Sequence, residues 1–250
     1  MNILVTAGGT TEDIDSVRGI ANHASGRLGS LVADEFSRRG GQVVYLCAEH
    51  ALRPEIPPAQ TVTIRSTAQL MRELERLLVA WPPDCVVHSM AVSDFTPAGS
   101  VSPDELAAAI EEAMFSCAAR DVKAAVRAAL HSVKTRPRQG KISSKTGELM
   151  LLLEQTPKAI HRIKELQPST LLVGFKLLSG VDEQQLHEAA RALMADAGCD
   201  FVLANDLRDI CGDRHEAVLL DRGGEVGRAG TKAEIARMIY GQVTRRLGRE

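Results

Sequence analysis

Two glycine-bearing clusters near the amino terminus have the composition of an anion site. Thr6-Ala7-Gly8-Gly9-Thr10-Thr11 follows a short apolar run, and Asn22-His23-Ala24-Ser25-Gly26-Arg27-Leu28-Gly29 opens a helical pattern. Glycines admit close backbone approach, and N–H groups at a helix start attract phosphate oxygens. Arg18 and Arg27 bring positive charge to the same stretch. Neither cluster is a GxGxxG turn joining a strand to its helix, and neither is a Walker A loop. The same glycines could serve turns alone.

A second constellation is Val86-Val87-His88-Ser89-Met90-Ala91-Val92-Ser93-Asp94-Phe95-Thr96-Pro97, an apolar run that turns polar at its carboxyl end. Asp94 stands where a carboxylate could accept hydrogen bonds from a substrate or join a Mg2+ shell, or simply cap a turn before Pro97. His88 reads as a core histidine satisfied by a neighbour rather than as a catalyst. No Ser-His or Cys-His pairing has further support, so nucleophilic catalysis is discounted. Lys141, inside Gly140-Lys141-Ile142-Ser143-Ser144, and Lys176, after Val173-Gly174-Phe175, are point charges suited to phosphate oxygens or a developing oxyanion. Asn205-Asp206 closes another apolar run and is either a ligand contact or a plain turn.

These residues need a scaffold that gathers loop ends. β-rich runs at 3–6, 43–47, 62–64, 85–91, 171–175 and 201–204 alternate with amphipathic helical patterns at 28–39, 67–80 and 184–197. That alternation predicts an α/β fold, a doubly wound and mainly parallel Rossmann-like sheet, whose carboxyl strand edge is where ligands bind. Residues 100–140 break the rhythm. An Ala-rich helix from Pro103 to about Ala129 and a basic loop (Lys134, Arg136, Arg138) should lead into a strand pair whose second strand is 148–153. A hairpin over 217–221 and 225–228 and a closing helix over 232–246 end the chain. The expected organisation is one domain over 1–250 with an insertion, helical and then strand-paired, at about 100–150.

Composition narrows the function classes. The 250 residues are 44% hydrophobic, enough for a large core, and Lys+Arg 30 against Asp+Glu 32 leaves a formal charge of -2. No global field would hold nucleic acid or an anionic membrane. The five cysteines, Cys47, Cys85, Cys117, Cys199 and Cys211, are scattered without metal-ligand spacing, as in a reduced cytoplasmic protein. No apolar run approaches a membrane span, and no signal segment precedes Ile3-Leu4-Val5, so neither insertion nor export is expected.

Taken together, Thr6-Ala7-Gly8-Gly9-Thr10, Asp15-Ser16-Val17-Arg18, Asn22-His23-Ala24-Ser25-Gly26, Ala91-Val92-Ser93-Asp94-Phe95, Gly174-Phe175 and Ala204-Asn205-Asp206 closely resemble the phosphopantothenate-cysteine ligases, or phosphopantothenoylcysteine synthetases. The likeness spans nearly the whole chain and looks like the free-standing bacterial branch. It implies a reaction in which the carboxylate of 4'-phosphopantothenate attacks the α-phosphate of CTP, with ATP the other possible nucleotide. L-cysteine then displaces CMP from the acyl-cytidylate, with Mg2+ screening the phosphates. By resemblance, Asn22 contacts the acyl-nucleotide, and Arg18 reaches the pantothenate site of a neighbouring subunit, which implies a homodimer. Ala91 and Asp94 resemble substrate-pocket residues. Gly8, Gly26, Gly29, Phe175 and Asn205 resemble nucleotide contacts, and Lys141 resembles a loop lysine implicated in the reaction. The bifunctional members carry two lysines on the helix after Gly-Phe that select CTP. Leu193 and Ala197 stand nearest those positions here, which would leave Lys176 or another basic residue to bind phosphate. Ala24 stands where many relatives have Ser. A dinucleotide-dependent oxidoreductase or a non-catalytic nucleotide-binding module on the same fold are the rival readings.

Overall fold

The computed structural model describes residues 1–116, 121–135, 140–142 and 147–249. In chain order its elements are β1 (Asn2–Ala7), β2 (Thr11–Asp13), β3 (Gly19–Ala21), α1 (Arg27–Arg38), β4 (Gln42–Ala48), β5 (Gln60–Ile64), α2 (Thr67–Ala80), β6 (Cys85–His88), β7 (Phe95–Val101), α3 (Pro103–Ser116), α4 (Val122–Thr135), β8 (Met150–Gln155), α5 (Ala159–Leu166), β9 (Leu171–Leu178), α6 (Glu183–Ala197), β10 (Phe201–Asp206), β11 (Ile210–Cys211), β12 (Arg214–Asp221), β13 (Gly224–Thr231) and α7 (Lys232–Arg246). They form two compact units, one of Met1–Thr10, Asn22–Val92 and Lys158–Glu250, the other of Thr11–Ala21 and Ser93–Pro157.

The first unit is built on a nine-stranded sheet ordered β11-β12-β10-β9-β6-β1-β4-β5, with β13 paired to β12. From β10 to β5 every neighbouring pair is parallel, and β11, β12 and β13 add antiparallel pairs at one side. The expected mainly parallel, doubly wound α/β sheet is therefore present. Its strands are apolar on both faces because helices cover both. Ile3, Val5, Tyr45, Val87 and Leu203 meet Val32 and Phe36 of α1 and Ile235, Ile239 and Val243 of α7. Their neighbours in sequence, Leu4, Leu46, Val86 and Val202, meet Leu70, Leu74 and Leu77 of α2, Ile163 of α5 and Met194 of α6. Strand alternation thus sorts one sequence into two cores. Helix starts are fixed locally: Ser66 caps α2, and capping boxes Asp182/Gln185 and Thr231/Glu234 start α6 and α7.

The second unit pairs β7 with β8 and β2 with β3, both antiparallel. Two expectations need correction here. The Ala-rich stretch is two helices, α3 and α4, rather than one. The second expected strand, β8, pairs with β7, from before both helices in sequence. Gly140, Lys141 and Ile142 form a bend rather than a strand, and Arg136, Arg138, Ser143 and Ser144 lie outside the described residues, as does Cys117. The signal for β7 was hidden because Phe95-Thr96-Pro97-Ala98-Gly99 carries a proline and a glycine, which argue against a strand. Here they sit at an irregularity between Pro97 and Gly99, and Gly99 leaves room for Val133, where a Cβ would come within 2.9 Å of the Val133 carbonyl oxygen. Ala125, Ala129 and Val133 of α4 form a buried stripe at four-residue spacing.

Candidate functional site

In the first unit the strand order reverses between β1 and β6: the chain runs outward from β1 to β4 and β5, then returns to β6 on the other flank. The crevice beyond the carboxyl ends of those two strands is the usual ligand position of such sheets. Gly8, Asn22, Gly26, Gly29 and Ala91 converge there. The β1 and β6 loops are joined by Ala91 N donating to Gly8 O at 2.8 Å and Thr10 N donating to Ala91 O at 3.1 Å. Asn22 Nδ2 donates to the same Ala91 carbonyl at 3.1 Å, while Asn22 N reaches Thr10 O at 3.3 Å. The carboxamide is thereby fixed, leaving Oδ1 and one Nδ2 hydrogen for a ligand.

Each glycine has a packing reason of its own. Gly8 and Gly26 adopt left-handed φ of 87° and 74°. A Cβ on Gly29 would stand 2.6 Å from Ala7 Cβ and 2.7 Å from Ser89 Oγ. Close packing of α1 onto the β1 edge therefore demands these glycines. Gly26 as N-cap brings no side-chain acceptor to the start of α1, and its neighbour Ser25 Oγ takes only the Arg27 N–H, at 3.3 Å. Such an amino terminus favours an anion.

Beneath the crevice lies a polar core. Thr6 Oγ1 contacts His88 Nδ1 at 2.9 Å and accepts from Met90 N at 3.3 Å, and Ser89 Oγ donates to Thr6 O at 2.7 Å. Burial pushes the His88 pKa down to about 4. A neutral, satisfied imidazole is what the sequence reading expected.

Farther along the same edge, β9 and β10 place Phe175 opposite Leu203, Lys176 opposite Ala204 and Asn205 opposite Leu177. Lys176 is half-buried and lies within β9, two residues before its end. Asn205 is buried, and its Nδ2 has no hydrogen-bond partner among the described residues. Leaving a buried amide donor unmade costs about 1–3 kcal/mol, which a ligand acceptor would recover. Next to it Asp206 is no plain turn residue. The Arg208 guanidinium, then the N–H groups of Arg208 and Val181, hold its carboxyl well below the usual range.

In the second unit Asp94, Arg18 and Lys141 are all exposed. The Asp94 carbonyl accepts from Thr156 N at 3.0 Å. Arg18 Nη2 donates to Ile142 O at 2.8 Å, and its Nε lies 3.5 Å from Asp15 Oδ2. Asp15 is a residue whose importance the sequence reading missed. Its buried carboxylate accepts from Val17, Arg18 and Ile142 amides, and those bonds, led by that from Val17, hold its pKa below the ordinary value. The available signal was Asp-Ser in the short stretch that became the β2–β3 turn, a pattern in which the side chain caps its own turn.

Two other features stand apart. A cleft of about 490 Å3 beside the start of α6 is lined by Asp182, Glu183, Asp206, Asp209, Glu216 and Arg228 among others, a lining too acidic for phosphates. The described residues also hold one group of three metal-capable side chains, Glu183, His187 and Glu225, with donor atoms within 4.8 Å of one another. Arg228 already pairs with both glutamates. No helix among the described residues is long and apolar enough to cross a membrane.

Comparison with known proteins identifies the family of this fold. The family model for the DNA/pantothenate metabolism flavoprotein C-terminal domain matches residues 1–104 and 100–247. The coenzyme A biosynthesis bifunctional protein CoaBC of Thermococcus kodakarensis is 32% identical over 98% of this chain and 51% of its own length. That of Methanocaldococcus jannaschii is 26% identical over 96% and 50%. The chain thus spans about half the length of these curated relatives. Among solved structures, the DNA/pantothenate metabolism flavoprotein of Streptococcus pneumoniae superposes with TM-score 0.81 at 33% identity, covering 98% of both chains. The C-terminal domain of a CoaBC protein, at TM-score 0.67 and 22% identity over 100% of this chain and 96% of the other, shares the fold. The chain therefore belongs to the family of the DNA/pantothenate metabolism flavoprotein C-terminal domain, the phosphopantothenoylcysteine synthetase domain that its sequence motifs resemble.

Proposed function

We propose that this chain is a phosphopantothenate-cysteine ligase of coenzyme A biosynthesis. The carboxylate of 4'-phosphopantothenate attacks the α-phosphorus of CTP, the bond to pyrophosphate breaks, and an acyl-cytidylate forms. The amine of L-cysteine then attacks the acyl carbon, CMP leaves, and the amine's proton passes to solvent. The observation that carries this reading is the β1/β6 crevice, where the Asn22 carboxamide is fixed on Ala91 O and α1 starts without a side-chain cap. Such a site offers hydrogen bonds and a positive dipole end to an acyl-phosphate but no nucleophile of its own, as a reaction between two bound substrates requires.

In this reading Gly8, Gly26 and Gly29 shape the nucleotide crevice, and Phe175, Lys176 and Asn205 hold the nucleotide farther along the edge, with Asn205 Nδ2 gaining an acceptor. By the family resemblance Ala91 of the first unit and Asp94 of the second are each assigned to substrate binding, and Arg18 and Lys141 of the second unit to supplying cationic charge. Mg2+ fits as counter-ion of the triphosphate, a role that needs one carboxylate at most, and Asp94 offers an exposed one. A homodimer belongs to the reading. The second unit exposes Val17 and Ile20 on its hairpin and Phe95, Met150 and Leu153 on β7 and β8, apolar area that a second copy would cover.

The test is pyrophosphate release by the purified chain with CTP and with ATP in turn. Release that requires both a nucleotide and phosphopantothenate supports the ligase. Nucleotide binding without release, or tight NADPH binding in its place, refutes it.

A further inference from the structure

The sequence motif Asp15-Ser16-Val17-Arg18 forms the turn between β2 and β3, and the backbone N–H of each of its four residues is hydrogen-bonded. Asp15 Oδ1 accepts from Val17 N and Arg18 N, both at 2.8 Å, and Ile14 N donates back to Arg18 O at 2.8 Å. The turn would be complete with these bonds alone. Yet three further bonds leave it for one short segment more than a hundred residues downstream. Ser16 N donates to Gly140 O at 2.7 Å, Ile142 N donates to Asp15 Oδ2 at 3.2 Å, and Arg18 Nη2 donates to Ile142 O at 2.8 Å. Both peptide neighbours of Lys141 are therefore pinned, while Lys141 itself is exposed. The Asp15 side chain has 0% exposure, so its bond to the half-buried Ile142 N is shielded from water on the carboxylate side.

We propose that Asp15 is the positioning residue for Lys141: one carboxylate oxygen builds the β2–β3 turn and the other clamps the Gly140–Ile142 bend, so that the lysine is presented from a fixed backbone. The proposal rests on the ligase reading for the task of Lys141, but not for the clamp. Arg18 belongs to the same device, because its guanidinium closes on Ile142 O and is steered by the same carboxylate. A lysine side chain has several rotatable bonds, so fixing its Cα removes much of the uncertainty in where its ammonium acts.

Asp15→Asn separates the two oxygens. The carboxamide keeps one acceptor for the turn amides, but its NH2 cannot accept from Ile142 N. With the full chain, three readings are made on wild type, Asp15→Asn, Lys141→Gln and the double variant: hydrogen exchange at the Ile142 amide, tryptic cleavage after Lys141, and pyrophosphate release. Asp15→Asn is expected to speed both exchange and cleavage and to lower kcat about tenfold or more with little change in nucleotide KM, the rate equivalent of losing a hydrogen bond to a charged acceptor. In the Lys141→Gln background the same change should cost less than about twofold, because residues acting through one another are not additive. An equal loss in both backgrounds, or unchanged exchange at Ile142, overturns the proposal. A wild-type chain that releases no pyrophosphate would sink the ligase reading, and the exchange and cleavage comparison would still decide the clamp. Asp15→Ser, whose hydroxyl also accepts from turn amides, repeats the comparison if the Asn variant does not fold.

Discussion

Replacing Asn22 by alanine separates site from scaffold, because the structure limits what the substitution can cost the fold. The side chain is half-buried and makes one described hydrogen bond, Nδ2 to Ala91 O at 3.1 Å. That carbonyl keeps a second donor, Thr10 N at 3.1 Å, so its loss leaves no orphaned acceptor. The backbone bonds of residue 22, to Thr10 O and from Ala24 N, survive in alanine. A neutral hydrogen bond lost without an orphan costs about 0.5–1 kcal/mol, which for a chain of this size lowers Tm by about 1–4 °C. Removal of a fixed donor from a developing charge, in contrast, costs about 3 kcal/mol, or roughly a hundredfold in kcat. Calorimetry and pyrophosphate release on the same preparation give both numbers. A Tm fall above about 10 °C would show that Asn22 holds the β1/β6 loops together, and unchanged turnover would remove it from the site.

Two further substitutions test the scaffold itself. In Gly8→Ala the new Cβ would stand 2.7 Å from Ala51 Cβ and 2.9 Å from Ala48 Cβ, at a residue with φ of 87°. Left-handed strain and overpacking together should destabilise by about 2–5 kcal/mol in urea unfolding, and a loss under about 0.5 kcal/mol would contradict this loop geometry. His88 titrates at about 4 in the fold against an ordinary 6.5, so the unfolded chain binds the extra proton between those values and stability must fall as pH drops through that window. His88→Gln should make Tm less steep in pH from about 6.5 to 4 without flattening it, because burial also holds His215 down to about 4. Identical slopes for the variant and wild type would mean that His88 is not the buried neutral group described.

The sheet was legible because its signals are local. Buried parallel strands read as unbroken apolar runs, and α2 and α7 have the bounds their periodicity predicts, Thr67–Ala80 and Lys232–Arg246. What was not legible depends on pairing at a distance. β7 meets β8 across two helices, and no local pattern records which strand a proline-bearing segment will join. Likewise the glycines near α1 signalled a tight loop, but whether they admit a ligand or only Ala7, Ala51 and Ser89 depends on atoms from other segments. Asn205 was legible as a strand-end polar residue. That its Nδ2 is buried without a partner emerges only once β9 and β10 are side by side.

If the proposed ligase reading holds, that unmet donor bears on how the nucleotide's charge would be held. The family resemblance implies two lysines on the helix after Gly-Phe in the bifunctional members, and the nearest positions here are Leu193 and Ala197 of α6. Both are core positions. Ala197 is buried, and Leu193 packs against the same apolar cluster, close enough that a Cβ on Gly174 would come within 3.4 Å of it. A lysine at either position would have to lift its ammonium out of that cluster or lose its charge. On the proposed ligase reading, triphosphate charge would then be met from the other side of the sheet edge, by the start of α1, and from within it, by the half-buried Lys176. A dipole end and one lysine make a weaker clamp than two lysines, so tight nucleotide binding leans more on neutral contacts to base and ribose, such as Asn205 Nδ2. A carboxamide donor reads acceptor geometry rather than charge, and CTP and ATP differ in where their base acceptors lie. The nucleotide preference of this chain should therefore be more sensitive to Asn205→Ala than its overall affinity for triphosphate is, a difference that competition between CTP and ATP measures directly. An equal loss of affinity for both nucleotides would assign Asn205 to the shared ribose or phosphates instead.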